Sequence, residues 1–240
     1  MASVVLFDID GTLVDCGGAG RRAMDAACEA VLGVKEACRT IAFGGMTDRA
    51  IARAAIVLSA PARVAEGEAA VERLIDDVLE SYLEILRRDL PASPSFRVLP
   101  GAHEMAEVAR KAGHAVGLGT GNLREGARLK LERARLWDLF DFGGFGCDAE
   151  ARPALLDRGR ARGAERLGEP PETCVTLVVG DTPLDVRAAH AIGARCLAVA
   201  SGRFDRASLE AAGADEVVDT LLDPSAARVI QNPSRDGARA

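Results

Sequence analysis

The chain has 240 residues, of which 48% are hydrophobic and 28% are charged, and its formal net charge is -6. This length and composition allow a substantial buried core, in one large domain or two smaller ones. An acidic chain without a long basic run has no field that attracts nucleic acid or anionic membranes, so we expect a small molecule as its partner.

The cysteines and the amino terminus indicate a reducing compartment. The six cysteines form no CxxC pair and no cluster with the three histidines, which argues against a zinc site or a disulfide framework. The apolar stretch in MASVVLFDID is too short for a signal sequence, and no apolar run reaches the roughly 18 residues of a membrane helix. We therefore expect a cytoplasmic protein that binds neither nucleic acid nor membranes.

Short apolar runs alternate with helical patterns along most of the chain. The strands that this pattern predicts are Ser3 to Phe7, Ala115 to Gly119, Cys174 to Val179, Arg195 to Val199 and, more weakly, Glu216 to Val218. The helices that it predicts between them are Gly101 to Ala112, Leu123 to Ala134, Ala154 to Leu167 and Leu184 to Ile192. Such alternation predicts an α/β fold with a doubly wound parallel sheet, whose ligands bind at the carboxyl ends of the strands.

One segment interrupts this alternation, because from Ala19 to about Leu90 the sequence predicts helices only. Those helices are Ala19 to Leu32, Asp48 to Leu58 and Val64 to Leu86, followed by a Pro- and Ser-rich linker suited to act as a hinge. The sequence thus predicts a core domain of residues 1–16 and 99–223 and an inserted helical cap domain of residues 17–98. The polar tail, residues 224–240, is expected to be disordered.

The first polar motif, Asp8-Ile9-Asp10-Gly11-Thr12, directly follows the first predicted strand. In extended backbone Asp8 and Asp10 share one face, and two such charges favour a hard divalent cation between them. The structural alternative is a strand-to-turn junction in which the Asp caps the loop.

Two further polar motifs also follow predicted strands. Gly119-Thr120-Gly121-Asn122 offers a hydroxyl and backbone N–H groups to an anion, and Gly180-Asp181-Thr182-Pro183-Leu184-Asp185 adds two acids near a helix start. Helix N-capping explains either motif taken alone. Independent capping does not predict polar motifs after three core strands, so the set favours a functional site.

These motifs, in this order, resemble the haloacid dehalogenase-like hydrolase superfamily across nearly the whole core. The inserted helices resemble its α-helical cap, and phrases such as DGTLVD, GMTDRAI and KLERARLWDLFD are most similar to phosphoglycolate phosphatase-type members. The resemblance implies a Rossmann-like α/β core and a Mg²⁺-dependent phosphatase that hydrolyses a small organic phosphate monoester. Asp10 favours phosphate chemistry, because the dehalogenases of this family lack an acid there.

Carried over by position, the resemblance also implies roles for the acids. Asp8 would be the nucleophile that forms an aspartyl-phosphate, and Asp10 the general acid and base. Mg²⁺ would be held by Asp8, Asp181 and the backbone carbonyl of Asp10, with Asp185 as an outer or weaker ligand. The phosphoryl oxygens would be bound by the second motif, through Thr120, Gly121 and Asn122.

The chain departs from the family pattern at one cation. Where the family has a lysine, often as Lys-Pro, before the last motif's strand, this sequence has Arg152-Pro153. An arginine is able to balance Asp8 and the phosphate, but as a rigid fork instead of a point charge. Lys130 is the second candidate for this role, and a solvated helix surface is the structural alternative for both.

Other choices stay open at this point. In the cap, Arg21 or Arg49 is a candidate to pair with an anionic part of the substrate, and a solvent-facing arginine is the alternative for each. A phosphomutase or a pyrophosphatase would use the same motifs, and a non-catalytic protein would use the same scaffold for binding. The sequence specifies neither the substrate nor the oligomeric state.

Overall fold

A parallel sheet of six strands forms the centre of the protein, for which a computed structural model describes residues 3–234. In chain order the strands are β1 (Ser3–Phe7), β2 (Val14–Asp15), β3 (Arg97–Val98), β4 (Ala115–Gly119), β5 (Gly143–Gly144), β6 (Val175–Gly180), β7 (Arg195–Val199) and β8 (Glu216–Val218). The six strands of the main sheet lie in the order β5-β4-β1-β6-β7-β8. All its neighbouring pairs are parallel, which confirms the predicted α/β class.

The central strand shows why the apolar runs predict this sheet so well. All five residues of β1 are buried, and Val5 lies between Val116 of β4 and Leu177 of β6. Because successive side chains point to opposite faces, Val4 and Leu6 pack into one hydrophobic layer and Val5 and Phe7 into the other. A strand that is buried on both faces needs apolar residues throughout, which produces an uninterrupted run in the sequence.

Helices cover both faces of the sheet and form the segment inserted between β2 and β3. They are α1 (Ala19–Leu32), α2 (Asp48–Ser59), α3 (Pro61–Val64), α4 (Glu68–Asp89), α5 (Ala102–Lys111), α6 (Arg124–Ala134), α7 (Arg152–Leu167), α8 (Pro183–Ala191), α9 (Arg206–Ala211) and α10 (Pro224–Gln231). One face packs against α7, α8 and α9, the other against α5, α6 and α10. Within residues 3–234, none of these helices has the length and apolar character needed to cross a membrane.

The inserted segment consists of α1 to α4, and the two connections that lead into and out of it pair with each other. Val14 of β2 lies beside Val98 of β3 in an antiparallel pair. Within the insert, α1 ends at Gly33, whose positive φ of 70° favours glycine, and α2 begins after Thr47, whose side chain accepts a hydrogen bond from the Ala50 N–H. The apolar faces of α1 and α4 pack together in the same hydrophobic cluster as Phe7.

The prediction of disorder from residue 224 onward is wrong for residues 224–231, which form α10; residues 235–240 of that tail lie outside the described part of the chain. The Asp223 side chain caps this helix by accepting from the Ser225 N–H. Ala226 and Ile230, four residues apart, are both fully buried. The four-residue apolar spacing outweighs the polar composition of the tail, because it places both side chains on the face that packs against α5.

The buried side chain of Ile230 provides a test of this packing. We expect Ile230→Ala to lower the free energy of unfolding by about 2 to 5 kcal/mol, since it leaves a cavity under α10. Urea unfolding measures the change, and Gln231→Ala, at an exposed neighbour, is the matched control. Equal stability of the two variants would contradict the packing of α10.

Candidate active site

Four strand ends of the main sheet meet at one cavity of about 410 Å³. Asp8 follows β1, Thr120 follows β4, Asp181 follows β6 and Ser201 follows β7, and all four line this cavity. The opposite wall comes from the insert and includes Met24, Phe43, Met46, Ile51 and Tyr82. Parallel strands end at the same edge of a sheet, which brings together motifs that are more than 100 residues apart in the chain.

Asp8 faces a buried arginine. The first turn of α7 places Arg152 so that its Nη2 lies 3.1 Å from Asp8 Oδ1 and also pairs with Asp185 Oδ1. Its Nη1 donates to the Gly45 carbonyl of the insert at 3.1 Å. Asp8, Arg152 and Asp185 are all buried, and the two carboxylates raise the pKa of the guanidinium against the opposing effect of burial. The sequence offered two candidates for the position opposite Asp8, Arg152 and Lys130. In the structure Arg152 occupies that position.

Three buried acids form a cluster that is able to hold a divalent cation. Asp8, Asp181 and Asp185 each place one carboxylate oxygen within 4.8 Å of the others. Burial raises the pKa of Asp8 to about 6 although Arg152 opposes it, and burial with the charges of Asp185 and Asp8 raises the pKa of Asp181 well above its usual value. Hard oxygen donors with excess negative charge suit a divalent ion, which would relieve this repulsion.

Asp185 is the most constrained member of the cluster. One of its oxygens pairs with Arg152, and the other accepts from the Thr182 N–H at 3.0 Å and the Thr182 hydroxyl at 2.7 Å. In return the Thr182 hydroxyl caps α8 by accepting from the Asp185 N–H. Because both oxygens already accept from donors, Asp185 fits an outer position around an ion better than a direct one.

Asp10 has a different cation. Lys130 Nζ, on α6, lies 2.6 Å from Asp10 Oδ2 and 2.5 Å from Asn122 Oδ1, and the lysine side chain is 4% exposed. The Asn122 amide donates to the same Asp10 oxygen at 2.9 Å. Burial alone would raise the pKa of Asp10, but Lys130 and Asn122 outweigh it and lower the pKa. The structure thus gives each acid of the first motif its own cation.

The loop after β4 places Thr120, Gly121 and Asn122 on the cavity wall. The Thr120 hydroxyl accepts from the Asn122 side-chain amide at 2.8 Å and from the Asn122 N–H at 3.3 Å. A Cβ at Gly121 would lie 2.3 Å from the Met46 carbonyl oxygen, so this close approach to the insert requires glycine. The loop is therefore tightly packed before any substrate binds.

Arg49 was predicted as a candidate for substrate binding, and the structure does not bring it to the cavity. Its guanidinium pairs with Glu72 and, at 2.8 Å, with Asp76, both on α4. One residue before it, Asp48 lines the cavity instead. The helical rotation between consecutive residues of α2 explains the difference, since it turns Arg49 towards α4.

Asp48 is a site residue that the sequence analysis missed. Its carboxylate accepts from the Leu123 N–H at 2.8 Å, and its own N–H donates to the Gly121 carbonyl at 2.8 Å, which ties the insert to the loop after β4. Burial raises the pKa of Asp48 to about 6, although Lys130 opposes the shift. The Thr-Asp pair at the start of α2 was the available signal, but it is equally typical of ordinary capping.

The loop after β7 was also missed, because its one acid, Asp205, serves as the N-cap of α9 and the residues before it form no acidic motif. The Ser201 hydroxyl donates to the Gly11 carbonyl at 2.8 Å. Gly202 packs against Asp181 so closely that a Cβ would lie 1.8 Å from its Oδ2. Arg203 and Phe204 of the same loop line the cavity.

Comparisons with known proteins identify relatives of this arrangement. Residues 2–193 match the family model described as haloacid dehalogenase-like hydrolase. A probable phosphatase, IndB, from Dickeya dadantii is 29% identical over 228 residues, covering 93% of this chain and 92% of that protein. A phosphoglycolate phosphatase from Synechococcus elongatus is 28% identical over 130 residues, or 54% of this chain and 58% of that protein. The crystal structure of a hydrolase from Pseudomonas syringae shares the fold, with a TM-score of 0.63, 24% identity and coverage of 93% of this chain and 95% of that one.

The acid cluster predicts opposite effects of Asp181→Asn with and without a divalent cation. Without the cation, the variant should be at least as stable as the parent, because it removes one of three buried acids that repel one another. With Mg²⁺ at about 100 times its Kd, the parent should gain about 2.7 kcal/mol of stability, and the variant much less. Thermal unfolding with and without the ion tests both effects, and Asp77→Asn at an exposed site is the control. An equal gain in parent and Asp181→Asn protein would contradict a cation site at Asp181.

Proposed function

The chain belongs to the haloacid dehalogenase-like hydrolase family, and we propose that within it the protein is a Mg²⁺-dependent phosphatase for a small organic phosphate monoester of the phosphoglycolate type. The observation that supports this proposal best is that the two acids of the first motif have different surroundings. Asp8 belongs to the acid cluster and pairs with Arg152, whereas Asp10 lies beside Lys130. One carboxylate is thus suited to attack phosphorus and the other to move a proton. The names of the two relatives, probable phosphatase and phosphoglycolate phosphatase, agree with this choice.

In the first step of the proposed reaction, a carboxylate oxygen of Asp8 attacks the phosphorus and the bond to the ester oxygen breaks. Asp10 gives its proton to that leaving oxygen, and the product alcohol departs. The negative charge of the bound phosphate raises the pKa of Asp10 above its value in the free protein, which allows it to carry this proton. Thr120 and the N–H of Gly121, on the cavity wall, would bind the phosphoryl oxygens as their charge develops.

In the second step, Asp10 as a carboxylate takes a proton from water, and the water oxygen attacks the phosphorus of the aspartyl-phosphate. The bond to Asp8 breaks and inorganic phosphate is released. Lys130 and Asn122 stabilise the ionised form of Asp10 that this step needs. A single acid thus serves both steps because its ionisation changes between them.

The residues present fit a magnesium ion. Asp8 and Asp181, with the Asp10 backbone carbonyl, are the proposed ligands, and Asp185 is the proposed outer residue. A bound Mg²⁺ would offset the charge of the phosphate and of the acids around it. Arg152, between Asp8 and Asp185, holds these two carboxylates in place.

Asp8→Asn is the direct test of the nucleophile. We expect it to lower Mg²⁺-dependent phosphate release by at least about 10³-fold, since an amide cannot form the acyl-phosphate. Release of inorganic phosphate from a panel of phosphorylated metabolites measures this, with Asp77→Asn as the control. Activity near that of the parent in Asp8→Asn would overturn the proposal. Transfer of the phosphoryl group within a sugar phosphate, or a preference for pyrophosphate, would identify a phosphomutase or a pyrophosphatase instead.

Lys130→Met tests the pairing of Asp10. Loss of this cation removes an interaction that lowers the pKa of Asp10, so the pH–rate profile should move to higher pH. The profile of kcat/KM between pH 5 and 9 is the measurement. Lys111→Met, which removes an exposed lysine paired with Glu107, is the control and should leave the profile unchanged. An unshifted profile in Lys130→Met would contradict the role of this pair.

A further inference from the structure

Two of the arginines that line the cavity have no carboxylate partner among the residues that the structure describes. Arg152 pairs with Asp8 and Asp185, and Arg97 pairs with Asp15 at 2.8 Å. Within the described residues 3–234, neither Arg21 nor Arg203 forms an ion pair with an acid. Their positive charge therefore remains available to a ligand in the cavity.

Arg203 is the freer of the two. It is exposed, and in the described part of the chain its guanidinium has no hydrogen-bond partner. All five of its N–H donors are therefore available, in the planar fork that matches a carboxylate or phosphate group.

The loop that bears Arg203 is held on both sides. On one side, Ser201 bonds to the Gly11 carbonyl, and Gly202 packs against Asp181. On the other side, the Phe204 ring lies against Gly44 of the insert, where a Cβ would be 3.3 Å from a ring carbon. Because its neighbours contact the acid cluster and the insert, Arg203 is positioned between the reacting end of the cavity and the opposite wall.

Arg21, on the insert, adds positive charge to the cavity but leaves few N–H donors free for a ligand. Its two terminal nitrogens donate to the Cys38 carbonyl at 2.8 Å and the Ile41 carbonyl at 2.7 Å, and its guanidinium lies 4.0 Å from the centroid of the Phe43 ring. Phe43 leads directly into Gly44, the residue that Phe204 contacts. Contacts through Phe43, Gly44 and Phe204 therefore connect the segments that bear the two arginines.

The remaining surface opposite the acids is mostly apolar, with Met24, Phe43, Met46, Ile51 and Phe204. A cavity of about 410 Å³ accepts a small organic group beside the phosphate. Beside these apolar side chains, an anion on the organic part of the substrate finds the free fork of Arg203 and the charge of Arg21.

We propose that Arg203 is a specificity-determining residue that binds a second anionic group, a carboxylate or a phosphate, on the organic part of the substrate, with Arg21 contributing to the field. This inference rests on the proposed phosphatase function and narrows its substrate class. Selection then comes from the core loop after β7 as well as from the insert. Binding of this second anion by Arg203 does not change the two reaction steps at Asp8.

Matched pairs of esters test this assignment with the full-length protein and Mg²⁺. In the first pair, phosphoglycolate carries a carboxylate where ethyl phosphate carries a methyl group. In the second pair, propanediol bisphosphate carries a second phosphate that propyl phosphate lacks. We expect kcat/KM of the parent to favour the anionic member of at least one pair by about 5- to 30-fold, mainly through KM, as for a charge-assisted bond at a partly exposed rim. The pair that shows the preference identifies the anion.

Arg203→Gln should remove this preference and leave the neutral ester unaffected, and Arg203→Lys should restore part of it. Arg124→Gln, at another exposed arginine that lacks a partner within residues 3–234 and lines a separate cavity, is the matched control and should keep the preference. If Arg203→Gln lowered kcat/KM equally for both members of a pair, Arg203 would act at the transferred phosphate and the inference would be overturned. The absence of any preference in the parent would also overturn it. If none of the four esters released phosphate, the phosphatase proposal itself would be overturned.

Discussion

Compensation of buried negative charge is the constraint on which this site depends. Five acids surround the cavity, and they outnumber the two cations buried among them, Arg152 and Lys130: the acids are Asp8, Asp10, Asp48, Asp181 and Asp185. Each cation is shared between neighbours: Arg152 between Asp8 and Asp185, Lys130 between Asp10 and Asn122. Since a buried charge without a partner is costly, the remaining imbalance favours a bound cation.

The insert takes part in this balance as well as covering the cavity. Asp48 bonds to the loop after β4 through both its carboxylate and its N–H, and the Thr47 hydroxyl donates to the Glu150 carbonyl at 3.0 Å. Arg53 of α2 also pairs with Glu150, at 2.9 Å. These polar contacts add to the hydrophobic cluster that the insert shares with the core, and the chain enters and leaves the insert through β2 and β3, which pair with each other. The insert is thus fixed over the cavity by polar contacts at this edge as well as by shared apolar packing.

Prediction from the sequence succeeded where one local requirement dominates. All five predicted strands match the observed strands within one residue at each end, because burial on both faces leaves little choice of residue. The two-residue strands β2, β3 and β5 were missed, since two residues show no periodicity. The helix α10 was missed because composition was given more weight than the spacing of Ala226 and Ile230.

The sequence by itself determined the α/β class, the helical insert and the meeting of the acids at one edge. A residue directly after a buried parallel strand has its position set by that strand, so Asp8, Thr120 and Asp181 could be placed from local pattern. Only the tertiary structure decided which cation faces which acid, turned Arg49 away from the cavity, and brought Asp48 and Arg203 to it. These side chains lie on helices and loops whose rotation and approach depend on packing against segments distant in the chain, and no local pattern records that packing.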